Sequence, residues 1–90
     1  MEITDIRIRH THHDGKLKAV ASITIDDVLV VHEIKIIEGT KGLFIAMPAR
    51  QDDKRGFIDI VHPINSELRE ELQRMILEKY YSSEEWTPET

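Results

Sequence analysis

Ninety residues fit a single domain, and 12 basic against 17 acidic side chains give a net charge of −5, the opposite of a uniformly basic nucleic-acid binder. The absence of cysteine excludes a disulfide framework and any cysteine–zinc centre, and no apolar run approaches the ~18 residues that suggest a membrane span. The acid excess is uneven: Met1 to His62 holds 9 basic and 10 acidic residues, whereas Pro63 to Thr90 holds 3 and 7.

Met1 to Asp5 carries acid and no long apolar stretch, so no signal peptide is expected and the expected location is the cytoplasm. Ile6-Arg7-Ile8-Arg9 alternates apolar and basic residues, the period of a half-buried strand. Asp14-Gly15 follows as a hairpin signal, because both turn positions favour positive φ. The next run sets Leu17, Ala19, Ala21, Ile23 and Ile25 on one face, and Asp26-Asp27 reads as a second tight turn. Val28 to Ile37 reads as a long β-branched strand, with Val28, Val30, His32, Ile34 and Ile36 on one face and Leu29, Val31, Glu33, Lys35 and Ile37 on the other. Both faces are largely apolar, which points to a central or interface strand and to a homodimer. Gly39 to Gly42 is a turn, Leu43 to Met47 a short strand stopped by Pro48, Ala49 to Gly56 a polar loop, and Phe57 to Val61 a last strand.

Asn65-Ser66 supplies a helix N-cap, with Glu67, Glu70 and Glu71 placed where negative charge suits the helix dipole. Leu68, Leu72, Met75, Ile76 and Tyr80 repeat at helical spacing, widened by Leu77 and Tyr81. The fold class is α+β: an antiparallel β-sheet of about five strands followed by one C-terminal α-helix. The expected boundaries are one domain over 1–81 and an acidic, flexible tail over 82–90.

No Gly-rich phosphate loop, nucleophile elbow or metalloprotease helix occurs, so no catalysis, cofactor or small-molecule substrate is expected. Asp26-Asp27 and Asp52-Asp53 lie outside any calcium-loop pattern and read as solvated turn acids. His10, His12 and His13 lie near a hairpin tip; solvated turn residues are the plainer account, and a zinc pair is the alternative. His32 reads as a core or interface histidine, and His62 as a hydrogen-bonding corner beside Pro63. The basic groups carry more interest. Arg7, Arg9, Lys16 and Lys18 would face one another across the first hairpin, a costly arrangement that suggests either a phosphate-binding stripe or a solvated face. Arg50, Lys54 and Arg55 cluster in the loop after Pro48, with Asp52 and Asp53 between them.

Gly42-Leu43-Phe44-Ile45-Ala46-Met47-Pro48, a charged loop, and then Asp59-Ile60-Val61-His62-Pro63-Ile64 together resemble the SpoVG family, the stage V sporulation or septation proteins. Ala21 to Asp26 and Val30-Val31-His32 upstream, and Asn65-Ser66 downstream, extend the resemblance over about Met1 to Tyr80. It implies a dimeric, non-enzymatic regulator that binds DNA and RNA, linked to septation, sporulation or global gene regulation. In that family, basic residues just after the Met-Pro pair and in the C-terminal helix are implicated in nucleic-acid binding. Arg50 matches one such position, Gln51 departs from the next, and Lys54 and Arg55 lie close by; Arg69 and Arg74 are the helix candidates, with Glu70–Arg74 pairing as their plain alternative. The rival reading is a protein–protein adaptor using the sheet edge or the apolar helix face.

Overall fold

The computed structural model describes residues 1–11 and 15–85, with side-chain burial to residue 82. Six strands and one helix follow in chain order: β1 (Ile3–His10), β2 (Leu17–Ile25), β3 (Leu29–Gly39), β4 (Gly42–Ala46), β5 (Ala49–Asp52), β6 (Gly56–Asp59) and α1 (Ser66–Glu85). The first four form one antiparallel meander in the order β1-β2-β3-β4, and β5 pairs with β6 as a separate two-stranded hairpin. The α+β expectation therefore holds, with the strands divided between two sheets. The segment read as a polar loop from Ala49 to Gly56 is instead half of that hairpin. Its turn is built by Asp52, whose Oδ2 accepts from the backbone N–H of Lys54 (3.1 Å) and Arg55 (3.0 Å).

One face of the meander is covered by α1. Ala19, Ala21 and Ile23 of β2, Ile34 and Ile36 of β3, Met47, and Leu72, Ile76 and Tyr80 of α1 form the buried core. The helix face is the one its spacing predicts, with Leu68, Met75 and Leu77 half-buried beside it and Tyr81 left exposed. Each large aliphatic side chain so buried contributes about 1.5–3 kcal/mol. Along the edge strand β4, the backbone N–H of Ile45 donates to Gln73 Oε1 of α1 (3.1 Å), so the helix also satisfies an edge amide.

The face assignment along β3 is corrected by a bulge. Ala21 pairs with Ile34 but Ile23 pairs with Val31, so β3 spends one extra residue between them. Glu33 takes up that residue in the left-handed region, at φ 67°. An extra residue inverts every side chain on one side of it. Val31 therefore packs beside Ile34 and Ile36 against the core, and Val30 and His32 turn to the uncovered face, where His32 Nδ1 and Ser22 Oγ lie 2.9 Å apart.

After β6 the chain turns at His62-Pro63. The buried Pro63 offers its carbonyl to His62 Nδ1 (3.0 Å) and Arg69 Nη2 (3.4 Å), the corner role expected for His62. Asn65 is the cap: its Oδ1 accepts from Leu68 N–H at 2.7 Å. The segment read as a tail, Ser82 to Thr90, overlaps the last turn of α1 and continues outside the described residues.

Candidate nucleic-acid interface

The sequence-predicted cations fall in two groups. Arg7 and Arg9 alternate with the core-facing Ile6, Ile8 and His10 along β1 and so stand on the uncovered face of the meander. They do not oppose Lys16 and Lys18. Arg7 pairs with Ser22 and Arg9 with Val20, and Lys18 lies level with Thr11, whose N–H donates to the Lys18 carbonyl at 3.1 Å. The like-charge cost expected across the hairpin is thus avoided by offset along the strands.

Most of these cations are tied to a carboxylate. Arg7 Nε donates to Asp5 Oδ2 at 3.0 Å, and this hydrogen bond holds the Asp5 carboxyl below the usual carboxylate range. Lys18 Nζ lies 3.2 Å from Glu38 Oε1. In the β5–β6 hairpin, Arg50 and Arg55 share Asp52, at 3.9 and 3.7 Å. Arg74 pairs with Glu78 (3.3 Å), not with Glu70, and Arg69 binds the Pro63 carbonyl. Among the described residues, Arg9, Lys16 and Lys54 make no ion pair. Lys35 joins them, a cation that the sequence reading set opposite Ile34 and Ile36 but did not count among the candidates. Downstream of the bulge it lies in one row across the sheet with Arg9, through Val20, and is exposed. Only the register of β3 could have revealed it.

The hairpin β5–β6 projects as an arm. Its strands contact each other and scarcely touch the meander or α1, and the Pro48 carbonyl accepts from Ile60 N–H at 2.7 Å at its root. Arg50, Lys54 and Arg55 share this arm with Asp52, Asp53 and Asp59, so its formal charge is zero. Asp52 thus does two things: it orders the turn through backbone amides and draws two guanidiniums to known places.

Among the described residues the histidines form no binding cluster. His10 points into the core beside Tyr80, with ring centroids 5.0 Å apart, and His12 and His13 lie outside the described residues. Among the described residues no three histidine or carboxylate side chains gather as metal ligands, and no helix is long and apolar enough to cross a membrane.

With this architecture in view, comparison with known proteins is decisive about ancestry. The SpoVG family pattern matches residues 1–82. The chain belongs to the SpoVG family. It is 65% identical over 80 residues to the "Putative septation protein SpoVG" of Agathobacter rectalis, covering 89% of this chain and 92% of the relative. The proteins of the same name from Lachnospira eligens and Thermoanaerobacter sp. strain X514 are 55% and 54% identical, over 93% and 94% of this chain and 96% and 92% of theirs. These relatives are named for septation and not for a catalysed reaction.

Proposed function

We propose that the protein is a cytoplasmic, homodimeric regulator that binds DNA or RNA through phosphate contacts and acts in septation, sporulation or broader gene control without catalysis. One observation carries the reading to particular residues. Arg50, Lys54 and Arg55 stand together on an arm that scarcely touches the rest of its own chain, with the Arg50 and Arg55 side chains 59% and 74% exposed. Cations held on a projecting hairpin can meet a phosphate backbone without moving the core. Arg7, Arg9 and Lys18 on the strands of the meander, with Lys16 just before β2, are the second contact set. The neutral balance of the arm limits affinity, and each phosphate contact should add about 0.9 to the steepness with which log affinity for duplex DNA falls with log salt.

The test is a salt series with duplex DNA and RNA. Replacing Arg50, Lys54 and Arg55 together by alanine removes up to three phosphate contacts, which flattens the log–log salt slope by up to about 2.7. Unchanged affinity at every salt concentration would remove the arm from the interface. A parent protein that binds neither nucleic acid at low salt would leave the adaptor reading in its place.

A further inference from the structure

The face of the meander turned away from α1 holds free cations beside an aromatic ring. Strand pairing sets Arg9, Val20, Lys35 and Ala46 level with one another across β1 to β4. Their neighbours along the strands, Ala19, Ala21, Ile34 and Ile36, are buried against the helix, so this row lies on the opposite side. Arg9 and Lys35 are exposed and make no ion pair, whereas the Asp5 carboxylate on β1 is already bound to Arg7. Next to the row, Phe44 pairs with Ile37 and is 41% exposed. Its ring comes down over Gly39: a Cβ at Gly39 would stand 3.0 Å from Phe44 Cε1 and 3.2 Å from Cδ1. The missing side chain at Gly39 is what admits the ring at this distance.

We infer that this open face binds single-stranded nucleic acid, with a base stacked on Phe44 and phosphates held by Arg9 and Lys35. This rests on the nucleic-acid reading above and assigns it a surface that selects single strands. Charge complementarity is the first argument. Arg9 and Lys35 stand two strands apart, about 10 Å, with the half-buried Val20 between them, and a backbone crossing the strands meets both. The ring is the second. A base stacks on any aromatic face presented to it, but in a duplex the bases already stack on one another and offer none. Cations alone, as on the arm, touch the phosphates of either form and do not discriminate. Hydrogen-bonding groups complete the face: Ser22 Oγ and His32 Nδ1 lie 2.9 Å apart on the same side, and the His32 ring is exposed. An acidic peptide would also suit the two cations, but it would take from Phe44 only apolar contact, which leucine supplies equally well.

Fluorescence anisotropy of the full chain separates these cases, with a labelled oligouridine, which cannot pair with itself, and a duplex DNA of the same length. Phe44→Ala should weaken oligouridine binding at least about 5-fold, the loss of one stacked base, and leave duplex affinity unchanged. Phe44→Leu should weaken it as well, and Phe44→Trp should hold or exceed the parent affinity. Lys35→Gln should flatten the oligouridine log–log salt slope by about 0.7, one phosphate contact on a single strand. Far-ultraviolet circular dichroism and sedimentation should match the parent in every variant. Full oligouridine affinity in Phe44→Leu would overturn base stacking and leave an acidic peptide as the occupant. Equal losses for both probes in Phe44→Ala would overturn the selection of single strands. Loss of self-association together with oligouridine binding in Phe44→Ala would put the ring in a subunit contact and overturn the site. A parent that binds the duplex but not the oligouridine, or an oligouridine indifferent to every Phe44 and Lys35 variant, would overturn this face and leave the arm reading standing. A parent that binds neither probe at low salt would overturn both.

Discussion

The start of α1 offers a sharp test, because two adjacent residues could cap it and the structure chooses one. Asn65 Oδ1 accepts from Leu68 N–H at 2.7 Å, and the Asn65 carbonyl accepts the first helical bond, from Arg69 N–H at 3.2 Å. Ser66 is the first helical residue, and its side chain makes no such bond. Asn65→Ala leaves the Leu68 amide to water and costs about 1 kcal/mol. A 90-residue chain has an unfolding entropy of about 0.19 kcal/mol/K near its midpoint, so the melting temperature should fall by about 5 °C. Asn65→Asp should hold the parent value, because aspartate caps as well and suits the helix dipole. Ser66→Ala should stay within about 0.5 kcal/mol of the parent. Thermal melts followed by circular dichroism at one fixed protein concentration separate the three, since association would otherwise shift the midpoint. Equal losses for Ser66→Ala and Asn65→Ala, or no loss for Asn65→Ala, would show that the cap drawn here is not the one holding the helix.

Two further outcomes follow from local geometry. Glu33→Gly should stabilise the chain by up to about 1 kcal/mol in urea unfolding, because glycine relieves the left-handed strain at φ 67°. Glu33→Val should destabilise it, since a β-branched residue is strained in that region. The Asp5 carboxyl, depressed chiefly by its hydrogen bond from Arg7, should titrate below the usual range when followed by nuclear magnetic resonance, and Arg7→Gln should return it toward that range. Because the folded pKa is lowered, this pair supports the fold above the unfolded value and loses its support as pH falls through the folded one. The pair lies at the surface, so the stability change should be small while the titration shift is clear.

Periodicity made several elements legible. The alternation of Ile6 and Ile8 and of Ala19, Ala21 and Ile23 marked the buried faces of β1 and β2, and Leu72, Ile76 and Tyr80 marked the buried stripe of α1, whereas His10, read as a solvated turn residue, lies on the core side beside Tyr80. Pro63 announced the corner and Asn65-Ser66 the place of the cap through local chemistry, and the structure chose Asn65. These features rest on interactions between residues close in sequence, or on a repeat that any covering layer would use. The family resemblance was legible for the same reason, since its motifs are contiguous.

What the tertiary structure alone decided depends on a partner strand. The bulge at Glu33 arises where β3 must match β2, and nothing within Val28 to Ile37 marks which residue is surplus. That single residue reverses the faces read for Val30, Val31 and His32, and it brings Lys35 into line with Arg9. The segment from Ala49 to Asp59 was unreadable as a hairpin for a related reason: with scarcely any of it packed on the rest of the chain, it carries no buried alternating face to betray it. Its cations were visible in the sequence, but their gathering around Asp52 was not, because a turn folded onto one carboxylate is a property of the closed hairpin. Sequence thus determined which side chains seek burial and where the helix starts. Strand pairing, which works between residues far apart in the chain, determined which face each later side chain occupies.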